Sequence, residues 1–273
     1  MTKNVLLIAF FLTFIAKNGI SQSNTGQIKY EQIVYTKDTL SFGVASKFHL
    51  FYKDNEVDFV DIFQSETINP KTKERFKITF SSTEEILPET YSYQNLSTKS
   101  ILFNEIFALD ITLSIADKML PISWKTLNKS KKIKNIECFA AQAEYRGRVW
   151  TAWYAPSIPV SSGPWLLYGL PGIILEAEDL HKTVQFICES VITPLNNVKI
   201  SKPKLLGTKR EVAYNKDFPK KIKEMAEDSM KKLIKEDKDF SKSHYISSIE
   251  IFDFEKAMAV PRFQQKLSDI PKK

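Results

Sequence analysis

The sequence predicts a mainly β protein, a curved antiparallel sheet or open barrel with one amphipathic C-terminal helix. From Gly26 to about Ile192, short runs of alternating, β-branched or aromatic residues are separated by polar or proline-containing breaks. Most connections between these runs are too short for crossover helices, which favours antiparallel pairing. After Pro203 the pattern changes, and apolar residues recur at helical spacing from Ile222 to Ile234.

The composition excludes disordered, collagen-like and cysteine-scaffolded chains. The 273 residues are 43% hydrophobic and 26% charged, with eight Gly and two Cys. A chain of this length can bury a full core in one large domain, or in one domain with an extension. We predict a signal peptide at residues 1–21, a β-rich domain at 22–200, and a basic helical extension at 201–273 that packs on it.

The first 21 residues are typical of a secretory signal. Lys3 provides the positive start, Val5 to Ala16 is almost entirely apolar, and the small residues Gly19 and Ser21 precede the predicted cleavage before Gln22. An apolar helix of this length rises only about 18 Å, too short for a hydrocarbon core of roughly 30 Å. The sequence therefore predicts export to the periplasm or cell envelope, with no transmembrane segment after signal removal and no nucleic-acid partner.

The strand pattern predicts nine strands in the β-rich domain. Their ranges are 28–35, 47–52, 57–63, 75–80, 101–109, 136–145, 149–154, 173–178 and 183–191. Two hairpins follow, one turning at residues 146–148, where Gly147 supplies a positive φ, and one turning at residues 179–182. Alternation places Val184, Phe186 and Cys188 on one face of the last strand.

The basic extension predicts one helix and one further strand. Asp217 is suited to the N-cap, Pro219 to the first turn, and the helix is expected to end near Asp239. Residues 245–254 alternate well enough to form another strand.

The two cysteines predict a disulfide. Cys138 and Cys188 both lie in the predicted exported domain, where oxidising conditions favour a bridge. The bridge would close a loop of about 50 residues and stabilise the fold by roughly 4 kcal/mol. The alternative is a pair of small buried hydrophobic residues, since Phe139 adjoins Cys138 and Ile187 adjoins Cys188.

Patterns for catalysis and metal binding are scarce. The three His have no ligand-like spacing with the Cys, and no Gly-rich phosphate loop or G-x-S-x-G elbow is present. We therefore predict no catalytic residues, no metal and no cofactor. Two weaker interpretations stay open, a serine-type hydrolase using Ser161 or Ser162 with His181, and a loose cation site in an otherwise solvated turn at Glu176, Glu178, Asp179 and His181.

The region from Trp150 to Leu175 is anomalous. Together with Gly147 it holds four of the eight Gly, four of the twelve Pro and three of the four Trp. Pro fixes φ and Gly permits close approach, so this density predicts a loop of rigid shape. We expect it to form the wall of an apolar groove, a buried crossing that plugs one end of the sheet, or both. The predicted ligand- or partner-binding residues are Arg146, Arg148, Trp150, Trp153, Tyr154, Trp165 and Tyr168.

A hexapeptide in this region carries a family resemblance. The chain has Gly169, Leu170, Pro171, Gly172, Ile173 and Ile174, and the nearby RGR, AWY and GPW triplets and the Cys138 position belong to the same pattern. Together they resemble the GLPGLI family of secreted proteins of Gram-negative bacteria, with Ile for Leu at position 173. The resemblance implies a signal-bearing envelope protein, often encoded beside outer-membrane receptors, with no established reaction or cofactor.

The sequence thus predicts a binding function rather than a reaction. We expect an exported, envelope-associated binding or accessory protein for an apolar ligand, a peptide or an outer-membrane receptor partner. Arg146 and Arg148 would steer an anionic group. The alternatives are a structural subunit of an envelope assembly and, less favoured, the serine-type hydrolase.

Overall fold

The computed structural model describes residues 24–35, 43–77, 89–107 and 111–203, and all regular structure in these ranges is β. The predicted signal peptide, the 217–239 helix and the 245–254 strand lie outside the described residues. The strands are β1 (Thr25–Tyr35), β2 (Gly43–Lys53), β3 (Glu56–Ile68), β4 (Arg75–Lys77), β5 (Glu89–Asn95), β6 (Ser100–Phe107), β7 (Ile111–Lys118), β8 (Lys125–Ile133), β9 (Ile136–Tyr145), β10 (Arg148–Ala155), β11 (Ile173–Asp179) and β12 (Val184–Ile192).

These strands form one large antiparallel sheet, which confirms the predicted fold class. The strand order is β7-β6-β5-β3-β2-β1-β12-β11-β10-β9-β8, and β4 pairs with β3 beside this path. Among the described residues β7 and β8 are each paired on one side only, so the sheet is open rather than closed into a barrel. No helix within these ranges is long and apolar enough to cross a membrane.

Nine strands match predicted ones, and β9 has the predicted bounds. The hairpin from β9 to β10 turns at Arg146 and Gly147, whose φ values of 48° and 73° match the turn expected there. Val184, Phe186 and Cys188 are all buried, as alternation predicted. Three strands, β5, β7 and β8, were not predicted.

The sheet is strongly curved, because Arg146 at the β9–β10 turn reaches Asp117 on β7, at the other end of the strand order, and the core lies on the concave face. The Phe48 and Phe59 rings stack with centroids 4.7 Å apart, and Trp150 lies 5.7 Å from Trp165. Phe186 joins the two groups, since its ring is 6.4 Å from Phe59 and 6.1 Å from Trp150. Aromatic residues from β2, β3, β10 and β12 therefore pack as one continuous cluster.

The structure corrects the predicted disulfide. Cys138 and Cys188 are both buried and both free thiols. Two strands, β10 and β11, lie between β9 and β12 in the sheet, which puts three strand spacings, roughly 14 Å along the sheet, between the two cysteine strands. A disulfide needs Cα atoms about 4.4–6.8 Å apart. The alternative prediction, two small buried hydrophobic residues, describes their positions in the core cluster.

Candidate functional site

The anomalous segment forms a folded loop between β10 and β11, which we call the central loop (residues 156–172). It has no helix or regular strand but is closed by its own backbone hydrogen bonds. The Ile173 N–H donates to the Ile158 carbonyl at 3.0 Å, and the Ile174 N–H donates to the Ser162 carbonyl at 2.9 Å. The start of β11 therefore holds two points of the loop in place.

Two glycines of the central loop lie at points where no side chain fits. A Cβ on Gly163 would lie 2.6 Å from the Cβ of Ile174, and a Cβ on Gly172 would lie 2.3 Å from the Ala155 carbonyl oxygen. Atoms at these distances overlap, so the loop backbone packs directly against its neighbours. Close approach explains these two glycines of the GPW and GLPG motifs.

Polar side chains of β5 attach the central loop to the other half of the sheet. Ser92 Oγ and Gln94 Nε2 both donate to the Trp165 carbonyl, at 3.1 and 3.3 Å. Ser162 Oγ donates in turn to Gln94 Oε1 at 3.0 Å. All of these groups are buried, so each bond satisfies a polar atom that water cannot reach.

The segment between β7 and β8 fastens the other end of the loop. Trp124 Nε1 donates to the Tyr168 carbonyl at 2.8 Å, and the Tyr168 hydroxyl donates to the Leu120 carbonyl at 2.6 Å. Burial raises the pKa of Tyr168, which keeps its hydroxyl protonated and able to donate. The loop thus fills the concave face between the two flanks of the sheet.

Most of the predicted aromatic anchors are inside the protein. Trp150 is 0% exposed, Trp165 1%, and Tyr154 and Tyr168 are also buried. Only Trp153 among the five is half-buried, and Lys131 Nζ lies 4.4 Å from its ring centroid in a cation–π contact. The geometry of this region is that of a buried crossing rather than an open groove.

The predicted arginine anchors are also turned inward. Arg146 pairs with Asp117 on β7 at 3.2 Å, and its guanidinium carbon lies 5.2 Å from the Phe103 ring centroid. Arg148 pairs with Asp179 and donates to Thr183 Oγ1 at 2.8 Å. Both guanidinium groups therefore join strands and turns of the same chain.

The residues of the two less favoured interpretations, the serine-type hydrolase and the loose cation site, do not lie where those interpretations need them. Ser162 is fully buried and bonded to Gln94, while His181 is exposed in the turn between β11 and β12. In that turn region the acidic side chains face cations of the chain, such as Lys131 with Glu176. Within the described residues no group of three or more His, Cys, Asp or Glu side chains is arranged to hold a metal ion.

A second region lies on the opposite face of the sheet. After β12 the chain passes the sheet end, where the Tyr52 hydroxyl donates to Thr193 Oγ1 at 2.7 Å. Residues 198–203, which we call the polar cover, then lie over β3 and β5. The Ser201 N–H donates to Asp58 Oδ2 at 2.8 Å, and Lys202 Nζ lies 5.0 Å from the Tyr93 ring centroid.

Beside the polar cover is a cleft of about 630 Å³, which we call the outer cleft. It lies between the β2–β3 turn, the β5–β6 turn and the polar cover. Its lining contains amide, hydroxyl and charged groups of both signs, with two aliphatic side chains. The lining residues are Lys53, Asp54, Asn55, Glu56, Asn95, Ser97, Val198, Lys199, Ile200 and Ser201.

Asp58 is the electrostatic anomaly of this region. It is 1% exposed, and its burial raises its pKa to about 7, against the hydrogen bond from Ser201 that favours the charged form. On β5, burial and the neighbouring Glu56 carboxylate raise the pKa of Tyr93, which donates its hydroxyl to Glu56. Sequence reasoning missed Asp58, because a single Asp in an alternating strand resembles any solvent-facing residue.

Fold and site together define an open antiparallel β protein with a filled concave face and a polar cleft on the other face. Residues 142–176, from β9 to β11 and including the central loop, match the family described as "Protein of unknown function (Porph_ging)". No curated protein matches the sequence.

Among solved structures the chain is similar to PNGF-II in two crystal forms. Both have a TM-score of 0.40 and 15% sequence identity, and the matches cover 72% and 70% of this chain. They cover 32% and 31% of the PNGF-II chain, so this chain spans about a third of the length of that protein.

Proposed function

We propose that this chain is an exported binding or accessory protein of the cell envelope, and that it binds an extended peptide segment of a protein partner in the outer cleft. The GLPGLI identity of residues 169–174, the signal peptide, the periplasmic or envelope location and an outer-membrane receptor as partner all belong to this proposal. In it the central loop is a structural plug that keeps the curved sheet rigid.

The placement of the aromatic residues favours a peptide over an apolar small molecule. Trp150 and Trp165 contact each other and the core, and Tyr168 is hydrogen-bonded to the segment before β8. An apolar ligand would have to displace this packing, which costs several kcal/mol for each large aromatic side chain. The side chains that sequence alone marks as anchors already have partners within the chain.

The lining of the outer cleft carries the proposal. An extended peptide presents backbone N–H and C=O groups that need hydrogen-bond partners. Asn and Ser side chains both donate and accept, so Asn55, Asn95 and Ser97 can pair with such a backbone. Lys53 and Lys199, facing Asp54 and Glu56 around the same cleft, can pair with side chains of either charge.

Site-specific photo-crosslinking tests this proposal. A photoreactive residue at Ser97, in the cleft, and one at Leu180, which is also exposed and lies in the β11–β12 turn, are compared in cells that export the chain. We expect one discrete crosslinked partner from position 97 and none from position 180. The Asn55→Ala, Lys199→Ala double variant should weaken that crosslink, because it removes an amide and a charge from the lining.

Two results would contradict the proposal. Equal crosslinking from both positions would mean that contact is not confined to the cleft. A co-purifying small molecule in native mass spectrometry that is lost on Trp150→Ala would instead assign binding to the concave face. The mass of the purified chain tests export separately, because signal removal takes away residues 1–21.

A further inference from the structure

We propose that strand β8 binds a linear acidic polysaccharide through its exposed lysines. The ten residues from Lys125 to Lys134 include five Lys and no acidic residue. No comparison or motif assigns this strand a role, and the proposal goes beyond the outer cleft because it shares no residue with it.

The lysines of β8 lie on an edge strand of the described sheet, and most of them form no salt bridge within the described residues. β8 pairs only with β9 in the described sheet, so no described strand lies along its outer side. Lys125, Lys129, Lys132 and Lys134 are exposed, and within the described part of the chain none of them joins a salt bridge. Lys131 alone is half-buried, paired with Glu176. The edge is therefore a strip of positive charge, with Glu137 the acidic residue facing Lys132 across the ladder.

The arrangement of the lysines favours a linear occupant over a flat surface. Successive residues of a strand point to opposite faces, so Lys131 and Lys132 lie on different sides of the sheet. A polymer that runs along the edge can contact both rows, whereas a bilayer surface can contact one row only. The nine residues of β8 extend over about 30 Å, enough for several charged sugar units.

The backbone of β8 argues against an added β-strand as the occupant. Its register with β9 shifts between Thr126 and Ser130, so residues 127–129 stand opposite the single residue Ala140. A bulge of this kind interrupts the row of free N–H and C=O groups that strand addition requires. A polyanion binds through the lysine charges and does not require these backbone groups.

The same residues do not suit single-stranded nucleic acid. Proteins that bind it combine a basic groove with aromatic side chains on which bases stack. The segment from Lys125 to Lys134 contains no aromatic residue. An exported location would also favour carboxylated or sulfated sugars as the available polyanion.

Edge lysines have a second known effect, the prevention of edge-to-edge pairing between copies. That effect predicts no ligand, so a binding measurement separates the two. The probes are alginate and dextran sulfate as acidic polysaccharides, neutral dextran as the uncharged control, and a double-stranded DNA oligonucleotide as the competing polyanion class. Binding to the chain from residue 22 onward is followed by calorimetry across a range of salt concentrations.

The test variant is Lys129→Gln, Lys132→Gln, Lys134→Gln. One control carries the same charge change at exposed lysines elsewhere, Lys71→Gln, Lys77→Gln, Lys99→Gln, and a second carries it in the basic extension, Lys231→Gln, Lys232→Gln, Lys235→Gln. We expect the β8 variant to lose about tenfold in affinity for the acidic polysaccharides and to reduce the salt slope by about two. The control variants should lose less than about twofold, and the β8 Lys→Arg triple should bind as the unaltered chain does.

Three outcomes would overturn the proposal. One is equal loss in the β8 variant and either control, which would assign binding to net charge or to the extension. Another is the absence of acidic-polysaccharide binding at low salt. The third is DNA binding at least as tight as polysaccharide binding and equally sensitive to the β8 variant. Because the lysines substituted in the β8 variant and in the first control are exposed, the unfolding midpoints of these two variants should stay close to that of the unaltered chain, which rules out misfolding as the cause.

Discussion

The two faces of the sheet are covered in different ways. The concave face is filled by the central loop, whose large aromatic side chains pack against β9 and β10 and whose polar groups bond to β5. The opposite face carries the short polar cover, which contacts a buried carboxyl group with a pKa near 7. Apolar packing holds at any pH, whereas a cover over an ionisable group depends on its protonation. The covering of the concave face is therefore independent of pH, whereas the covering of the opposite face depends on the protonation of Asp58.

Replacing Trp165 with Ala tests how much the packing of the central loop on the concave face stabilises the fold. The Trp165 ring is buried against Trp150 and Tyr145, so its removal leaves a large cavity. We expect a loss of about 3–5 kcal/mol in the free energy of unfolding. Urea denaturation followed by fluorescence measures it.

Trp153→Ala is the matched variant for that experiment. Trp153 is half-buried and contacts Lys131 on the surface, so its loss should cost about 1 kcal/mol. Similar losses for the two variants would mean that the central loop does not depend on a buried ring, and would contradict the plug.

Gly172→Ala tests the backbone of the same face, with a smaller expected effect. The added Cβ would overlap the Ala155 carbonyl oxygen, so the loop or the end of β10 must shift. We expect a loss of roughly 1–3 kcal/mol, the usual cost of overpacking a close contact. Thermal unfolding measures the change.

Ser157→Ala serves as control, because Ser157 is exposed in the same loop and should change stability by less than about 0.5 kcal/mol. A Gly172→Ala variant as stable as the Ser157→Ala variant would show that the loop can give way at this point. The close approach would then not be the reason for the second glycine of GLPG.

The sequence predicted the strands that have a clear inside and outside. β9, β10 and β12 alternate buried residues with half-buried or exposed ones, and the turn at Gly147 separates two of them. β5 was missed because Ser92 and Gln94 are polar yet buried, where they bond to the Trp165 carbonyl. β8 was missed because an edge strand rich in Lys has no apolar row to reveal it.

The sequence indicated where the chain is unusual but not how the unusual residues are placed. Density of Trp, Pro and Gly correctly indicated a loop of special shape, but a buried plug and a groove wall need the same residue types. Asp58 and the outer cleft gave no signal, since both depend on a contact between residues more than 140 positions apart. Long-range contacts of this kind leave no spacing or periodicity in a single sequence.

Asp58→Asn tests the face that carries the polar cover, and here the expected effect depends on pH. The folded-state pKa of about 7 exceeds the ordinary value of 3.8, so the folded chain holds this proton more tightly and its stability falls as the pH rises from about 4 to 7. Asn stays neutral and can still accept the Ser201 N–H, although more weakly than a carboxylate. We therefore expect the variant to match the unaltered chain near pH 4 and to exceed it in stability by up to about 4 kcal/mol above pH 7, since each pKa unit corresponds to about 1.4 kcal/mol.

Urea denaturation at pH 4, 5.5 and 8 measures the difference between the two chains at each pH. Other groups also make the free energy of unfolding depend on pH, since hydrogen bonding to Arg75 lowers the pKa of Glu31 and burial lowers that of His49. These contributions are the same in both chains and cancel in the difference. A difference that does not change with pH would mean that Asp58 titrates as an ordinary surface carboxyl. The contact between the polar cover and the sheet would then be as independent of pH as the packing of the central loop, and the two faces would not differ in this respect.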